Sequence, residues 1–209
     1  HRGPCLLVSY LGSSTAKEGR ARPASRAGTH DHQGRHRGSV ASATPIIMLR
    51  SALLNVMIKA ARKAARTLKR DFGEVENLQV SIKGPANFVS VADTKAEEII
   101  FKELNKARPA YSFLMEERGL VEGADKTHRW IVDPLDGTTN FLHSNPMFAI
   151  SIGLEREGQL VAGVIYNPAS DELFTAEKGK GAFMNDRRLR VANRKSIADA
   201  LVSTGIPHR

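Results

Sequence analysis

Arg129-Trp130-Ile131-Val132-Asp133-Pro134-Leu135-Asp136-Gly137-Thr138-Thr139-Asn140 reads as a buried β-strand running into a loop that carries chemistry. The strand is Arg129–Val132, and two carboxylates three residues apart fall where it ends. A glycine and two hydroxyl side chains follow at once. Hard divalent cations such as Mg²⁺ prefer several oxygen ligands in near-octahedral geometry, which carboxylates and a substrate phosphate can supply. The Gly137-Thr138-Thr139 segment offers backbone N–H groups and hydroxyls able to hold an anion or position a water. Asp-x-x-Asp alone is also compatible with a capped loop bearing one solvated aspartate. The combination of strand, paired carboxylates and hydroxyl-bearing cradle is far more specific.

Upstream, Phe113-Leu114-Met115 forms a short apolar strand that ends in Glu116-Glu117. Those two glutamates either face solvent or join the aspartates. Further strands are expected over 112–115, 129–133, 147–154, 159–166, 172–176, 181–184 and 187–191, with turns at Glu155–Gly158 and Asp186-Arg187. Before this meander the texture is helical. Leu49, Leu53, Val56, Ala60, Ala64 and Leu68 recur at spacings of three and four, forming one apolar stripe. Lys59, Arg62, Lys63, Arg66, Lys69 and Arg70 occupy other faces, and Gly73 is expected to stop the helix near its basic end. The stripe is alanine-rich and lacks aromatics, so it suits a protein core better than a membrane surface. Alternation over residues 78–83 predicts a strand, and Gly84–Asn87 a turn or mobile loop. A second helix is expected from Asp93-Thr94, with Thr94 and Glu97 in capping-box spacing, ending before Pro109. Two helices followed by a strand-rich meander predict an α+β fold layered on a largely antiparallel sheet.

Residues 1–47 differ in kind. They are rich in Gly, Ser, Ala, Arg and His without a sustained period, a composition that buries too little apolar surface to offset ordering entropy. Their histidines (His1, His30, His32, His36) lack metal-site spacing, and Met48 directly precedes the first ordered pattern. The expectation is a disordered or non-native extension over 1–47 and a domain over 48–209. The extension carries seven Lys/Arg against two acidic residues, so +5 of the net +9 sits there and +4 on the rest. It has one aromatic residue, Tyr10, which argues against a nucleic-acid partner. A single cysteine, Cys5, excludes an internal disulfide framework and fits a reducing, cytoplasmic compartment. No apolar run approaches the ~20 residues a membrane span needs, and Cys5–Val8 lacks signal-peptide flanks. Hydrophobic and charged contents of 41% and 25% are ordinary for a globular domain.

DPLDGTTNF at 133–141, with Glu116-Glu117, Val89–Asp93, Trp130–Asp133 and the stretch 149–167, resembles the inositol monophosphatase family. Its bacterial, SuhB-type members are the most similar, and the likeness runs from about Met48 to Arg209. The resemblance implies the first half of a layered αβαβα sugar-phosphatase fold. It also implies a Mg²⁺-dependent, lithium-sensitive enzyme that hydrolyses myo-inositol monophosphate to inositol and phosphate. Glu116, Asp133 and the carbonyl of Leu135 are then expected to hold one metal, and Asp133 with Asp136 a second. Glu116 and Thr138 would orient the attacking water, while Asp136 and the N–H groups of Gly137 and Thr138 would bind substrate. Asp93 would support the metals, and Lys83 would help retain a third. His143 and Trp130 are expected to be structural, since neutral imidazole is not a preferred Mg²⁺ ligand. Met115 stands where many relatives have glycine.

One family feature is not contained in these 209 residues: the Trp-Asp-x-Ala-Ala-type motif with a further catalytic aspartate. The domain is accordingly expected to be incomplete at its C-terminal side and deficient in turnover. A strand over 200–204 would begin the family's second half. Substrates to weigh against inositol monophosphate are nucleotide 3′-phosphates, fructose 1,6-bisphosphate and histidinol phosphate. A regulatory or RNA-associated role through the basic face of helix 49–70 is the alternative from another class. The resemblance also points to a homodimer.

Overall fold

A computed structural model describes residues 50–78, 85–193 and 195–201, with backbone alone at 76–78 and 85–90. The expectations for 1–47, for Met48 and Lys83, and for strand residues 79–83 and 202–204 lie outside the described residues.

Helix α1 spans Ala52–Leu78 and α2 spans Pro85–Ala107. Eight strands follow: β1 Tyr111–Met115, β2 Gly119–Val121, β3 Asp125–Asp136, β4 Ala149–Arg156, β5 Gln159–Asn167, β6 Glu172–Glu177, β7 Gly181–Met184 and β8 Arg187–Arg188. A short helix α3, Thr138–Leu142, joins β3 to β4. The strands form one sheet in the order β2-β1-β3-β4-β5-β6-β7-β8. Only β1 and β3 pair in parallel; every other neighbour is antiparallel. This is the expected α+β arrangement of two long helices on a largely antiparallel sheet. Helix α1 lies over β4 and β5, and α2 over β3.

The apolar face of α1 is broader than the single stripe read from sequence. Leu54, Met57, Ile58, Ala60, Ala61, Ala64, Ala65 and Leu68 are all buried, while Leu53 and Val56 sit at the margin. Alanines dominate because the helix lies close to the sheet, where a larger side chain would overpack. On the helix-covered face of the sheet, alternate strand residues are buried: Phe113 and Met115 from β1, Trp130 and Val132 from β3, Ile150, Ile152 and Leu154 from β4, and Val164 from β5. Trp130 is fully buried and serves as a core anchor.

Several boundaries differ from expectation. Gly73 does not stop α1, which continues to Leu78. Helical glycine costs about 1 kcal/mol, but Val75 beyond it is completely buried, and that burial contributes a comparable or larger amount. Helix α2 starts at Pro85 rather than at Asp93-Thr94. Proline suits the first helical position because the N–H it lacks has no intrahelical acceptor there. The final strand shortens to Arg187–Arg188, and Ala200-Leu201 are not in a strand.

The link from β3 to β4 positions the chemistry. Register between these strands shifts between Asp133 and Asp136, so Pro134 and Leu135 form an irregularity. Proline cannot donate to a ladder, which is where such breaks occur. Helix α3 then docks through Phe141, whose ring lies 4.9 Å from Phe148 and 5.4 Å from Phe72 of α1. Phe72 and Phe148 also touch, at 4.9 Å between centroids. Asn140 Nδ2 donates to the Met147 carbonyl at 2.7 Å, tying the two ends of the connection together.

Candidate active site at the ends of β1 and β3

Parallel pairing sets Met115 opposite Val132. The next residues, Glu116 just past β1 and Asp133 still within β3, therefore stand side by side, and their carboxyl groups share a hydrogen bond. Asp133 is pushed up to about 8, chiefly by burial, then by the charges of Glu116 and Asp136. The N–H of Leu135 donates to Asp133 Oδ1 at 3.1 Å and partly offsets this. Thus three of the sequence-predicted carboxylates, Glu116, Asp133 and Asp136, are brought close enough to repel one another. None of the three has an ion-pair partner among the described residues.

A second pair stands beside them. Asp93, buried on α2, shares a hydrogen bond with the Glu117 side chain and is also pushed up to about 8. Burial is the main cause, followed by Glu116, Glu117 and Glu97. Asp93 Oδ1 is buried without a hydrogen-bond partner. The carboxylates gather as pairs rather than as a closed shell, and no three acidic, His or Cys side chains among the described residues already converge as metal ligands. Chemically the set still fits a divalent cation. It is oxygen-only, crowded with like charge, and has an orphaned buried oxygen, all of which a hard cation would relieve.

The remaining predicted residues frame this cluster. Leu135 is buried, and its carbonyl accepts the Thr138 hydroxyl at 3.0 Å. Gly137 has φ 87°, and a Cβ there would lie 2.8 Å from the Met147 carbonyl oxygen. The position therefore requires glycine both for its conformation and for the close approach of the next segment. Thr138 opens α3, directly behind the aspartates. His143 is exposed at the end of that helix, where its backbone N–H bonds to the carbonyls of Thr139 and Asn140. Met115 is buried in the core.

Sequence reasoning missed what holds Glu116. Glu97 does not form a capping box, because Thr94 and Glu97 lie inside α2. It is almost completely buried, and its Oε2 accepts the backbone N–H of Glu117 at 2.8 Å. Arg118 reaches back to Glu97 at 3.3 Å and also pairs with Glu98, with its guanidinium 4.7 Å above the Phe101 ring. The loop bearing Glu116 is thus fastened to α2 on both sides. The available signal was the i, i+4 spacing of Asp93, Glu97 and Phe101, which places two acids and an aromatic on one helical face.

The chain matches the Inositol monophosphatase family over residues 49–209. It is 71% identical over 161 residues to the inositol-1-monophosphatase of Mesorhizobium japonicum, covering 77% of this chain and 60% of that protein. It is 40% identical over 157 residues to the Nus factor SuhB of Pasteurella multocida, covering 75% and 59%. Its fold is similar to the crystal structure of the extragenic suppressor protein suhB from Bartonella henselae, with a TM-score of 0.62 and 67% identity over 69% of this chain and 56% of that one. The chain spans about 60% of the length of the curated relatives it matches.

Proposed function

This chain belongs to the inositol monophosphatase family, and we propose that it carries the metal-binding part of a Mg²⁺-dependent phosphomonoesterase acting on myo-inositol monophosphate. The observation that carries the reading is the gathering of Glu116, Asp133 and Asp136 at the ends of β1 and β3 without a cationic partner. Glu116, Asp133, Asp136 and the carbonyl of Leu135 would hold Mg²⁺. Bound there, Mg²⁺ supplies acidified water at neutral pH and screens the phosphate charge. The Glu116 carboxylate and the Thr138 hydroxyl orient that water, with the hydroxyl already tethered to Leu135. The N–H groups of Gly137 and Thr138 bind a phosphate oxygen. The products are inositol and phosphate. A cytoplasmic location and a homodimer complete the proposal; no helix among the described residues is long and apolar enough to cross a membrane.

Phosphate release from inositol 1-phosphate, with and without Mg²⁺, tests the reading. The 209-residue chain is expected to turn over at least about a hundredfold more slowly than the Mesorhizobium japonicum relative, because in-line displacement needs the leaving oxygen and the ring held as well as the water. In that relative, replacing the residue aligned with Asp133 by Asn should nearly abolish turnover. Replacing the one aligned with Thr138 by Ala should slow it while leaving metal binding largely intact. Lithium should inhibit. Faster release from fructose 1,6-bisphosphate, histidinol phosphate or a nucleotide 3′-phosphate would reassign the substrate; retained activity in the Asn variant would refute the metal assignment.

A further inference from the structure

We infer that Ser151 is a positioning residue for the metal site, its hydroxyl donating to the Asp133 carboxylate once a cation is bound. This rests on the metal-binding reading of Glu116, Asp133 and Asp136 given above. Ser151 lies on β4 directly opposite Asp133 on β3. Directly opposed residues of an antiparallel pair project from the same face, with Cβ atoms about 5 Å apart. The neighbouring pair, Val132 and Ile152, is buried on the helix-covered face. Asp133 and Ser151 therefore share the other face of the sheet.

Ser151 is 3% exposed, yet its Oγ makes no hydrogen bond among the described residues. A buried hydroxyl without a partner is costly, and alanine would serve a purely packing role better. The side chains around it narrow what the hydroxyl is for. Across the ladder these are Asp133 on one side and Ile165 of β5 on the other; along β4 they are Ala149 and Gly153. Of these four, only Asp133 carries a polar side chain. Register breaks immediately beyond the pair, where Pro134 and Leu135 stand against Ile150 alone before pairing resumes at Asp136 and Ala149. Asp133 is thus the last residue of β3 before the irregularity, and the ladder holds Ser151 beside it.

The carboxylate has room for such a donor. An ionised carboxylate offers about four lone-pair sites. Asp133 Oδ1 accepts the N–H of Leu135 at 3.1 Å, and the carboxyl otherwise bonds to that of Glu116, another acid. A cation held by both acids replaces the bond between them. Carboxylates that ligate metals are themselves oriented by hydrogen bonds from groups outside the coordination shell. Rotation about one side-chain bond redirects the Ser151 hydroxyl without moving the backbone. A hydroxyl left without a partner in the metal-free chain is what this role requires. Ser151 acts through Asp133 and contacts neither the cation nor the phosphate.

Calorimetric titration of Mg²⁺ into the 209-residue chain and its Ser151→Ala variant, beside urea unfolding of both in EDTA, tests this. The two readouts should part company. Ser151→Ala should bind Mg²⁺ about tenfold more weakly, the usual loss for a contact that orients a metal ligand. In EDTA it should be as stable as the parent or more so, because the change removes a buried polar atom that has no partner. Ser151→Thr keeps a hydroxyl there and should bind Mg²⁺ more like the parent than like Ser151→Ala. In an Asp133→Asn background, Ser151→Ala should cost little further affinity, since effects transmitted through one residue do not add. Parent-like affinity in Ser151→Ala, no advantage for Ser151→Thr, or an undiminished effect in the Asp133→Asn background would each overturn this inference alone. So would lower stability of Ser151→Ala in EDTA, the mark of a merely structural serine. Absence of saturable Mg²⁺ binding by the parent would instead overturn the metal reading itself, and this inference with it.

Discussion

Glu97 on α2 accepts the backbone N–H of Glu117 at 2.8 Å, so a buried carboxylate in one layer holds the loop that presents Glu116 in the next. A negative group placed within an already negative cluster is costly, and its compensation is positional. It fastens the end of β1 where parallel pairing with β3 has brought Glu116 beside Asp133.

Glu97→Ala should therefore weaken Mg²⁺ binding by about 10-fold or more, as loss of a supporting contact to a metal ligand typically does. It also strands the Glu117 N–H, costing about 1–3 kcal/mol, with relief of repulsion on Asp93 keeping the loss toward the lower end. Glu97→Gln retains an acceptor and should lose less of both. Calorimetric Mg²⁺ titration beside urea unfolding separates the two effects, and unchanged affinity in Glu97→Ala would show that the loop holds its own shape.

Metal-free stability should depend on pH in an unusual direction. Asp93 and Asp133 titrate at about 8 in the folded chain, against about 3.9 for an unfolded aspartate. The folded state thus binds more protons between these values, so stability present below about pH 4 is lost progressively as pH rises toward 8. In EDTA the melting temperature should fall from pH 5 to pH 8.5. Mg²⁺ should restore it most at the alkaline end, where the carboxylates are ionised. A melting temperature in EDTA that is level or rises across this range would contradict the clustering.

Gly137→Ala should be strongly destabilising for so small a change. The left-handed backbone alone costs a non-glycine residue about 1–2 kcal/mol. The added methyl would also stand 2.8 Å from the Met147 carbonyl, which Asn140 already holds in place. Gly158 also has positive φ but open space around it, so Gly158→Ala should show the conformational cost without the clash. Comparing the two by urea denaturation checks the close approach; equal losses would mean that the β3–α3 connection yields.

The core of this site was legible because its signals are contiguous. A strand ending in Asp133-Pro134-Leu135-Asp136-Gly137 announces itself, and alternation along 159–166 and 172–176 placed β5 and β6 nearly to the residue. What escaped notice depends on partners distant in sequence. Gly73 looked like a stop because the burial of Val75 in the core has no local mark. Thr94 and Glu97 looked like a capping box because the Glu117 N–H, the true partner, lies twenty residues away. Helix α3 is held by its own Phe141 against Phe72 and Phe148, rings from two separate segments that only the tertiary structure brings to it.

Calorimetric titration of Mg²⁺ into the 209-residue chain, beside its Asp133→Asn variant at pH 8, tests most directly whether Glu116, Asp133 and Asp136 form a cation site. Saturable binding by the parent, reduced at least about tenfold in the variant although an amide keeps the side chain's shape, is the predicted result. Equal affinity in the two proteins, or no binding by the parent, would contradict it.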